Sequence, residues 1–284
     1  MADYIVERRR KATVWLCRSY ADPAFVDMLA EADGWFADPR LVLVKDTKKT
    51  KVGRVTVTIA GTSRSVYVKR YNAFSLRYRI GSLFTRSAAR RSLCGAKLLA
   101  AGGIASAQPI ASVEARRYGM LRQSFFISEE IAGARTADAF WRQHLRACGG
   151  QEGYRLRRAY LARLAALFAA LHARRIYHDD LKDANIMAFA GEDGAVRFAL
   201  LDLEGVRRCA QLSERRRVKN LMQLYRTLGR QLTRSQKLFL LKSYLGAEFR
   251  DRARRRKLAA AVIELARRVD RRKAREAGRG QRWS

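Results

Sequence analysis

One run constrains this chain more than any other. Residues 176–187 read I-Y-H-D-D-L-K-D-A-N-I-M, with a histidine, three aspartates, a lysine and an asparagine between apolar flanks. Upstream, Leu156, Tyr160, Leu161, Leu164, Leu167, Phe168 and Leu171 recur at helix spacing, so a helix over 154–172 delivers the chain to this run. Downstream, I-M-A-F-A, the turn G-E-D-G and V-R-F-A-L-L-D-L-E-G read as a hairpin. That hairpin ends in a second acidic turn, Asp202-Leu203-Glu204-Gly205. The question this run raises is which of its carboxylates does chemistry, and on what.

The first half of the chain has a different texture. Residues 1–40 are mixed, with Trp15, Phe25, Met28, Leu29, Trp35 and Phe36 as expected anchors. From Leu41, L-V-L-V-K, V-G-R-V-T-V-T-I and S-V-Y-V-K-R-Y are β-branched runs parted by turn residues, and predict three antiparallel strands. A helix over 85–101 follows, stopped by Gly102-Gly103, then strands near 110–114 and 124–129. Beyond Gly133 the chain turns helical, and it ends in an Arg-rich amphipathic segment. The expected class is α+β with two lobes. Residues 1–40 form an N-terminal extension packed on the fold, 41–130 a β-rich N-lobe with one helix, and 131–284 a helical C-lobe.

At 284 residues the chain can bury a sizeable core. Lys and Arg number 59 against 26 Asp and Glu, a formal net charge of +33, which draws the chain to polyanions. Cys17, Cys94, Cys148 and Cys209 form no C-x-x-C pair, and with three histidines a zinc site is not expected. The cysteines fit a reduced, cytosolic chain. The apolar run after Lys11 is broken by Arg18, so no secretory signal is read. No apolar run approaches the roughly 20 residues of a membrane-spanning helix.

The loop fits H-x-D-L-K-x-x-N as His178, Asp180, Leu181, Lys182 and Asn185. Asp202 follows across the hairpin, and Lys69 ends the third strand in V-Y-V-K. Each element alone has a bland reading: a lone D-L-K-x-x-N is more often a helix cap, and a strand lysine is usually solvated. In this order and on these elements they match protein-kinase-like phosphotransferases. Asp180 would align the acceptor hydroxyl and take its proton, and Lys182 would neutralise the moving phosphoryl group. Asn185 and Asp202 offer hard oxygen ligands to Mg²⁺. Lys69 would reach the ATP phosphates, and His178 would shape the loop. Asp179 stands where many protein kinases carry an arginine, and Asp183 reads as a surface or loop-capping residue.

The span from about 41 to 245 resembles the Kdo/WaaP lipopolysaccharide kinase family, a branch of the protein-kinase-like fold. The resemblance is carried by V-Y-V-K-R-Y, G-I-A-S-A-Q-P-I-A, F-F-I-S-E-E-I-A-G, L-H-A-R-R-I-Y-H-D-D-L-K-D-A-N-I, L-L-D-L-E-G-V-R, R-R-V-K-N-L-M-Q-L and L-F-L-L-K-S-Y-L. It implies ATP- and Mg²⁺-dependent phosphorylation of a heptose or Kdo hydroxyl in the lipopolysaccharide inner core of a Gram-negative cell. The enzyme would act on the cytoplasmic face of the inner membrane, with no obligate protein partner. Glu129 would lie at the inter-lobe hinge, where the chain meets the adenine.

Two departures stand out. D-T-K-K-T-K-V-G replaces a glycine-rich phosphate loop, and no Asp or Glu occurs from Thr47 to Val113. A lysine–glutamate pair within the first-lobe helix is therefore excluded. Lys69 must be held by Asp202, by Glu114 or by ATP itself. The acid-free span also creates a positive field suited to anionic glycolipid or phospholipid headgroups. Competing readings are an atypical Ser/Thr protein kinase or small-molecule kinase of the same fold, and a non-enzymatic pseudokinase scaffold or basic nucleic-acid-binding module. No nucleic-acid-binding motif supports the last. The terminal segment 252–275 reads either as a helix packed on the C-lobe or as a peripheral helix on anionic lipid.

Overall fold

The computed structural model describes residues 3–9, 11–73 and 75–280. Two compact units emerge, each with its own core. The first comprises Met1–Ala132 with Asp202–Val206, and the second Gly133–Leu201 with Arg207–Ser284.

The first unit is built on a seven-stranded sheet. Its strands are β1 (Tyr4–Arg8), β2 (Ala12–Cys17), β3 (Val42–Asp46), β4 (Thr50–Ile59), β5 (Thr62–Asn72), β6 (Pro109–Arg117) and β7 (Met120–Glu129). They lie in the order β1-β2-β6-β7-β5-β4-β3, every neighbouring pair antiparallel. The alternation in the sequence therefore predicts β3 to β7 correctly. It does not reveal β1 and β2, which residues 4–17 of the expected extension contribute to the sheet. Trp35, Phe25 and Leu29 are buried as anchors, but Met28 is 40% exposed.

Strand periodicity decides which face each side chain joins. On β5, Val66 and Val68 enter a core with Leu16, Phe25, Leu29, Ile110 and Ile127. The helix α1 (Pro23–Ala30) covers that face, its N-terminus capped by Asp22, which accepts from the amides of Ala24 and Phe25. A residue out of phase, Tyr71 turns to the other face and packs with Phe126, Ala88, Ala89 and Leu93. A short helix, α2 (Leu76–Gly81), precedes the one that supplies those last three residues, α3 (Ala88–Ala101). Ser87 caps α3 by accepting from the Arg90 amide, and buried Glu114 accepts from the Ser87 amide. Lys69 shares the phase of Tyr71, so the sequence alternation aims it at the α3 face.

The acid-free span finds its counter-charges outside itself. Arg54 pairs with Glu130, Arg64 with Glu129, Arg70 with Asp33 and Lys51 with Asp46. Other cations lie over aromatic rings, Arg90 on Trp15 at 3.9 Å and Lys97 on Tyr4 at 4.0 Å from the centroids.

In the second unit, α4 (Ala137–Phe140) leads to α5 (Gly150–Ala173), which buries Tyr160, Leu161, Leu164, Phe168 and Leu171. Leu156, assigned to that stripe from spacing, is 42% exposed at the helix's first turns. After the short strands β8 (Arg135–Thr136) and β9 (Ile176–His178), the expected hairpin forms as β10 (Ile186–Ala190) and β11 (Val196–Leu200), with β8 on its edge. Helices α6 (Glu214–Arg226), α7 (Arg234–Leu245) and α8 (Arg252–Gly280) complete the unit. Thr233 and Gln236 form a capping box at the start of α7.

The basic terminal segment packs. Leu258, Val262 and Ala266 of α8 are buried. Asp270 accepts from Arg226 at 2.6 Å and from Arg230 at 3.1 Å. An apolar cavity of about 450 Å³, lined by Phe168, Leu224, Leu241 and Val262 among others, remains between α5, α6, α7 and α8. Ending the chain after Arg250 would open that core to water. Burial of each Leu or Val side chain contributes about 1.5–3 kcal/mol, so the melting temperature is expected to fall on the order of 10 °C. Differential scanning calorimetry of the truncated chain checks this. A wild-type melt would mean that α8 adds nothing to the fold.

Candidate active site

On β5 the ammonium of Lys69 donates to Asp202 Oδ1 at 2.6 Å. Asp202 opens the one-turn 3₁₀ segment Leu203–Gly205, with φ 57° and ψ 54°. That left-handed conformation is one that aspartate tolerates better than most side chains. Burial opposes the charge on Lys69, but Tyr71 and Asp202 outweigh it, and its pKa lies above the ordinary lysine value. Burial pushes the Tyr71 phenol up to about 12, and its hydroxyl is 2.9 Å from Ser92 Oγ on α3. Of the partners open to Lys69, the structure selects Asp202. Glu114 is engaged by Arg116 at 2.9 Å.

Glu204 joins this group. Burial raises its pKa, Lys69 opposes that rise, and Arg91 of α3 stands 3.9 Å away. Spacing identified the D-L-E turn but gave Glu204 no role. The two carboxylates near Lys69 thus come from one turn, and α3 supplies small residues that let the turn approach. A Cβ at Gly95 would collide with the backbone oxygen of Leu203 and sit 3.1 Å from Val206 Cβ.

The second unit holds the loop. His178 is fully buried. Its Nδ1 accepts from the Asp180 amide at 3.2 Å, so the ring proton is on Nε2, which donates to the Leu201 carbonyl at 2.9 Å. The imidazole braces the loop through both nitrogens. Asp180 Oδ2 accepts from Lys182 Nζ at 2.6 Å and from Asn185 Nδ2 at 3.1 Å. Asn185 Nδ2 also donates to the Asp180 carbonyl at 2.8 Å, and Asn185 Oδ1 has no hydrogen-bond partner among the described residues. One short segment therefore brings His178, Asp180, Lys182 and Asn185 together.

Spacing missed the support beneath the loop. Asn220 and Gln223, three apart on one face of α6, clamp it. Asn220 Nδ2 donates to the His178 carbonyl at 2.6 Å. Gln223 accepts from the Leu181 amide at 3.1 Å and donates to the Asp179 carbonyl at 2.9 Å. The two share the polar face of α6 with Arg216 and Thr227, so spacing alone does not single them out. Asp183, expected at the surface or capping the loop, is 7% exposed. Its carboxylate does accept from the Ala184 amide at 2.9 Å, and burial raises its pKa, with Asp138 adding to the rise. Glu129 sits in the first unit with its carboxylate 2.6 Å from Arg64 Nη1. Among the described residues no three His, Cys, Asp or Glu side chains gather as a metal cluster.

The model of the lipopolysaccharide kinase (Kdo/WaaP) family matches residues 37–244. The chain belongs to this family. It is a kinase, and the bilobal kinase-like class expected from its motifs holds. A solved structure titled "WaaP in complex with acyl carrier protein" shares the fold, with a TM-score of 0.60 and 22% identity over 87% of this chain and 97% of that one. Among curated proteins none matches.

Within this kinase family frame, Gly95 has a checkable consequence. Gly95→Ala would push the Leu203 carbonyl away and shift the turn that carries Asp202. Overpacking of this kind costs about 1–3 kcal/mol. Mg-ATP affinity is expected to drop severalfold, together with a lower melting temperature. Calorimetric titration and thermal melting of the same preparation test this, and wild-type values for both would remove Gly95 from the support of the site.

Proposed function

We propose that the chain transfers the γ-phosphoryl group of ATP to a sugar hydroxyl, of heptose or Kdo, in the lipopolysaccharide inner core. The observation that carries this reading is the Asp180 carboxylate, half-exposed and held between Lys182 and Asn185 on a loop braced by His178, Asn220 and Gln223, in a chain of this kinase family. Asp180 accepts the proton of the acceptor hydroxyl as the new bond forms. Lys182 offsets negative charge next to it. Lys69, kept protonated, holds the nucleotide phosphates. Asp202 in the first unit and Asn185 in the second would each offer Mg²⁺ one of the few hard oxygens it prefers. When bound, the metal neutralises charge on the transferring phosphate. Glu129 spends its side chain on Arg64, so recognition of adenine there falls to the main chain.

The charge and the surface favour a membrane-proximal enzyme. No described helix is long and apolar enough to cross a membrane. In the first unit, Ile80, Leu83, Phe84 and Tyr118 are exposed, Phe84 by 86% and Tyr118 by 82%. The two segments adjoin, because a Cβ on Gly119 would lie 3.3 Å from Leu83 Cδ2. Arg77, Arg79, Arg86 and Arg117 flank them. An apolar patch rimmed by cations suits the boundary of an anionic bilayer. Phe84→Ser is expected to weaken co-sedimentation with anionic vesicles at low salt without altering the melt. Undiminished binding would exclude this patch.

The central test is direct. Purified protein is incubated with labelled ATP and rough-core lipopolysaccharide, and new phosphate is located by mass spectrometry. Phosphate on an inner-core sugar is the expected result. Label found only on protein substrates would favour the Ser/Thr kinase reading, and label on no acceptor would favour the scaffold.

A further inference from the structure

The second unit holds a cationic cavity beside the loop that none of the roles above uses. It has a volume of about 530 Å³ and is lined by Tyr177, Asp179, Arg207, Ser213, Arg215, Arg216 and Lys219. That size falls within the range of small-molecule sites. Four cations face one carboxylate. Asp179 is already satisfied, accepting from Lys219 at 3.0 Å and from the Tyr177 hydroxyl at 3.2 Å. The hydrogen bond from Lys219 holds the Asp179 carboxyl below its usual value.

The other cations lack such partners. Among the described residues no carboxylate pairs with Arg207, Arg215 or Arg216. Arg216 instead reaches Cys209 Sγ at 3.1 Å, a weak acceptor. The Tyr177 ring gathers two of them and Lys219, with the guanidinium carbons of Arg207 and Arg216 at 4.8 and 5.5 Å from its centroid and Lys219 Nζ at 5.8 Å. Ser213 is the N-cap of α6, so the positive end of that 13-residue helix also borders the cavity. Like charges assembled around one ring repel each other, and a bound anion relieves this through charge-assisted hydrogen bonds, at which arginine excels.

We propose that this cavity binds an anionic group of the acceptor glycan, a phosphate or a carboxylate, and so presents the acceptor hydroxyl to Asp180, the residue next to Asp179 in the chain. The proposal rests on the lipopolysaccharide-core reading of the site. It makes the enzyme selective for acceptors that already carry negative charge. Arg207, Arg215 and Arg216 are positioning residues.

The test uses the full chain and its Arg207→Gln/Arg215→Gln variant. Acceptors are lipid-free core oligosaccharide in native form and the same glycan after phosphatase treatment and carboxyl reduction. The variant is expected to raise KM for the native acceptor at least tenfold with Mg-ATP affinity unchanged, and to match wild type on the neutralised glycan. Inorganic phosphate alone is expected to raise the melting temperature of wild type but not of the variant. An unchanged KM for the native acceptor, or an equal rise on the neutralised one, overturns the proposal. A defect seen only as lost binding to anionic vesicles assigns the cations to lipid headgroups and also overturns it. If wild type transfers phosphate to no core acceptor, the substrate reading and the acceptor assignment fail together, while the phosphate titration still decides whether the cavity takes anions.

Discussion

Asp180→Asn is expected to abolish phosphoryl transfer and leave Mg-ATP binding close to wild type. The substitution keeps the shape of the side chain and one oxygen for Lys182 or Asn185, so the loop stays in place. What it removes is basicity. A positioned proton acceptor contributes about a hundred- to ten-thousandfold, or roughly 3–5 kcal/mol of barrier. The loss falls on kcat if, as proposed, ATP is held by Lys69 and the metal ligands rather than by Asp180. Steady-state transfer and calorimetric Mg-ATP titration on the same preparation separate the two. Wild-type transfer rates in the variant would end the assignment of Asp180. Equal losses of binding and transfer would instead mark it as a binding group.

Asp202→Ala should produce the opposite signature, with Mg-ATP binding lost. Two effects add. On the proposed reading the metal would lose its anionic ligand, and Lys69 loses the carboxylate 2.6 Å away. Both side chains are largely buried, 21% and 32% exposed, so removing the carboxylate also leaves a mostly buried ammonium unpaired. Mg-ATP affinity should fall by about a hundredfold or more, and the melt should fall by several degrees as well. Asn185→Ala removes a neutral oxygen only, and its defect should be smaller. Tight Mg-ATP binding by Asp202→Ala would move the metal site elsewhere.

The pH dependence of the Lys69–Asp202 pair has a definite sign on the lysine side. The folded pKa of Lys69 is raised, so its contribution is complete below the unfolded lysine value and is lost only as pH rises through the folded one. Near neutral pH the lysine stays charged, and alkaline loss of activity below that range must arise from another group.

The sequence by itself determined the local pieces. Alternation along 50–72 made β4 and β5 and put Lys69 on the face opposite Val66 and Val68, because successive strand side chains must point to opposite sides. The H-x-D-L-K-x-x-N spacing brought Asp180, Lys182 and Asn185 within hydrogen-bond reach of one another, since all lie within six residues of one tight loop. Tertiary structure decided the rest. Lys69 had two candidate carboxylates and ATP to choose from, and a bond across 133 positions in the chain has no periodicity to announce it. The same holds for Asn220 and Gln223 beneath the loop, for the addition of β1 and β2 to the sheet through the β2–β6 pairing, and for the ring of cations around Tyr177. Patterning reports how a residue sits relative to its near neighbours. Which distant segment meets it is fixed by packing and charge, as the missing helix glutamate makes plain: with no acid in the span, the D-L-E turn packs against Gly95 and brings Asp202 to the lysine.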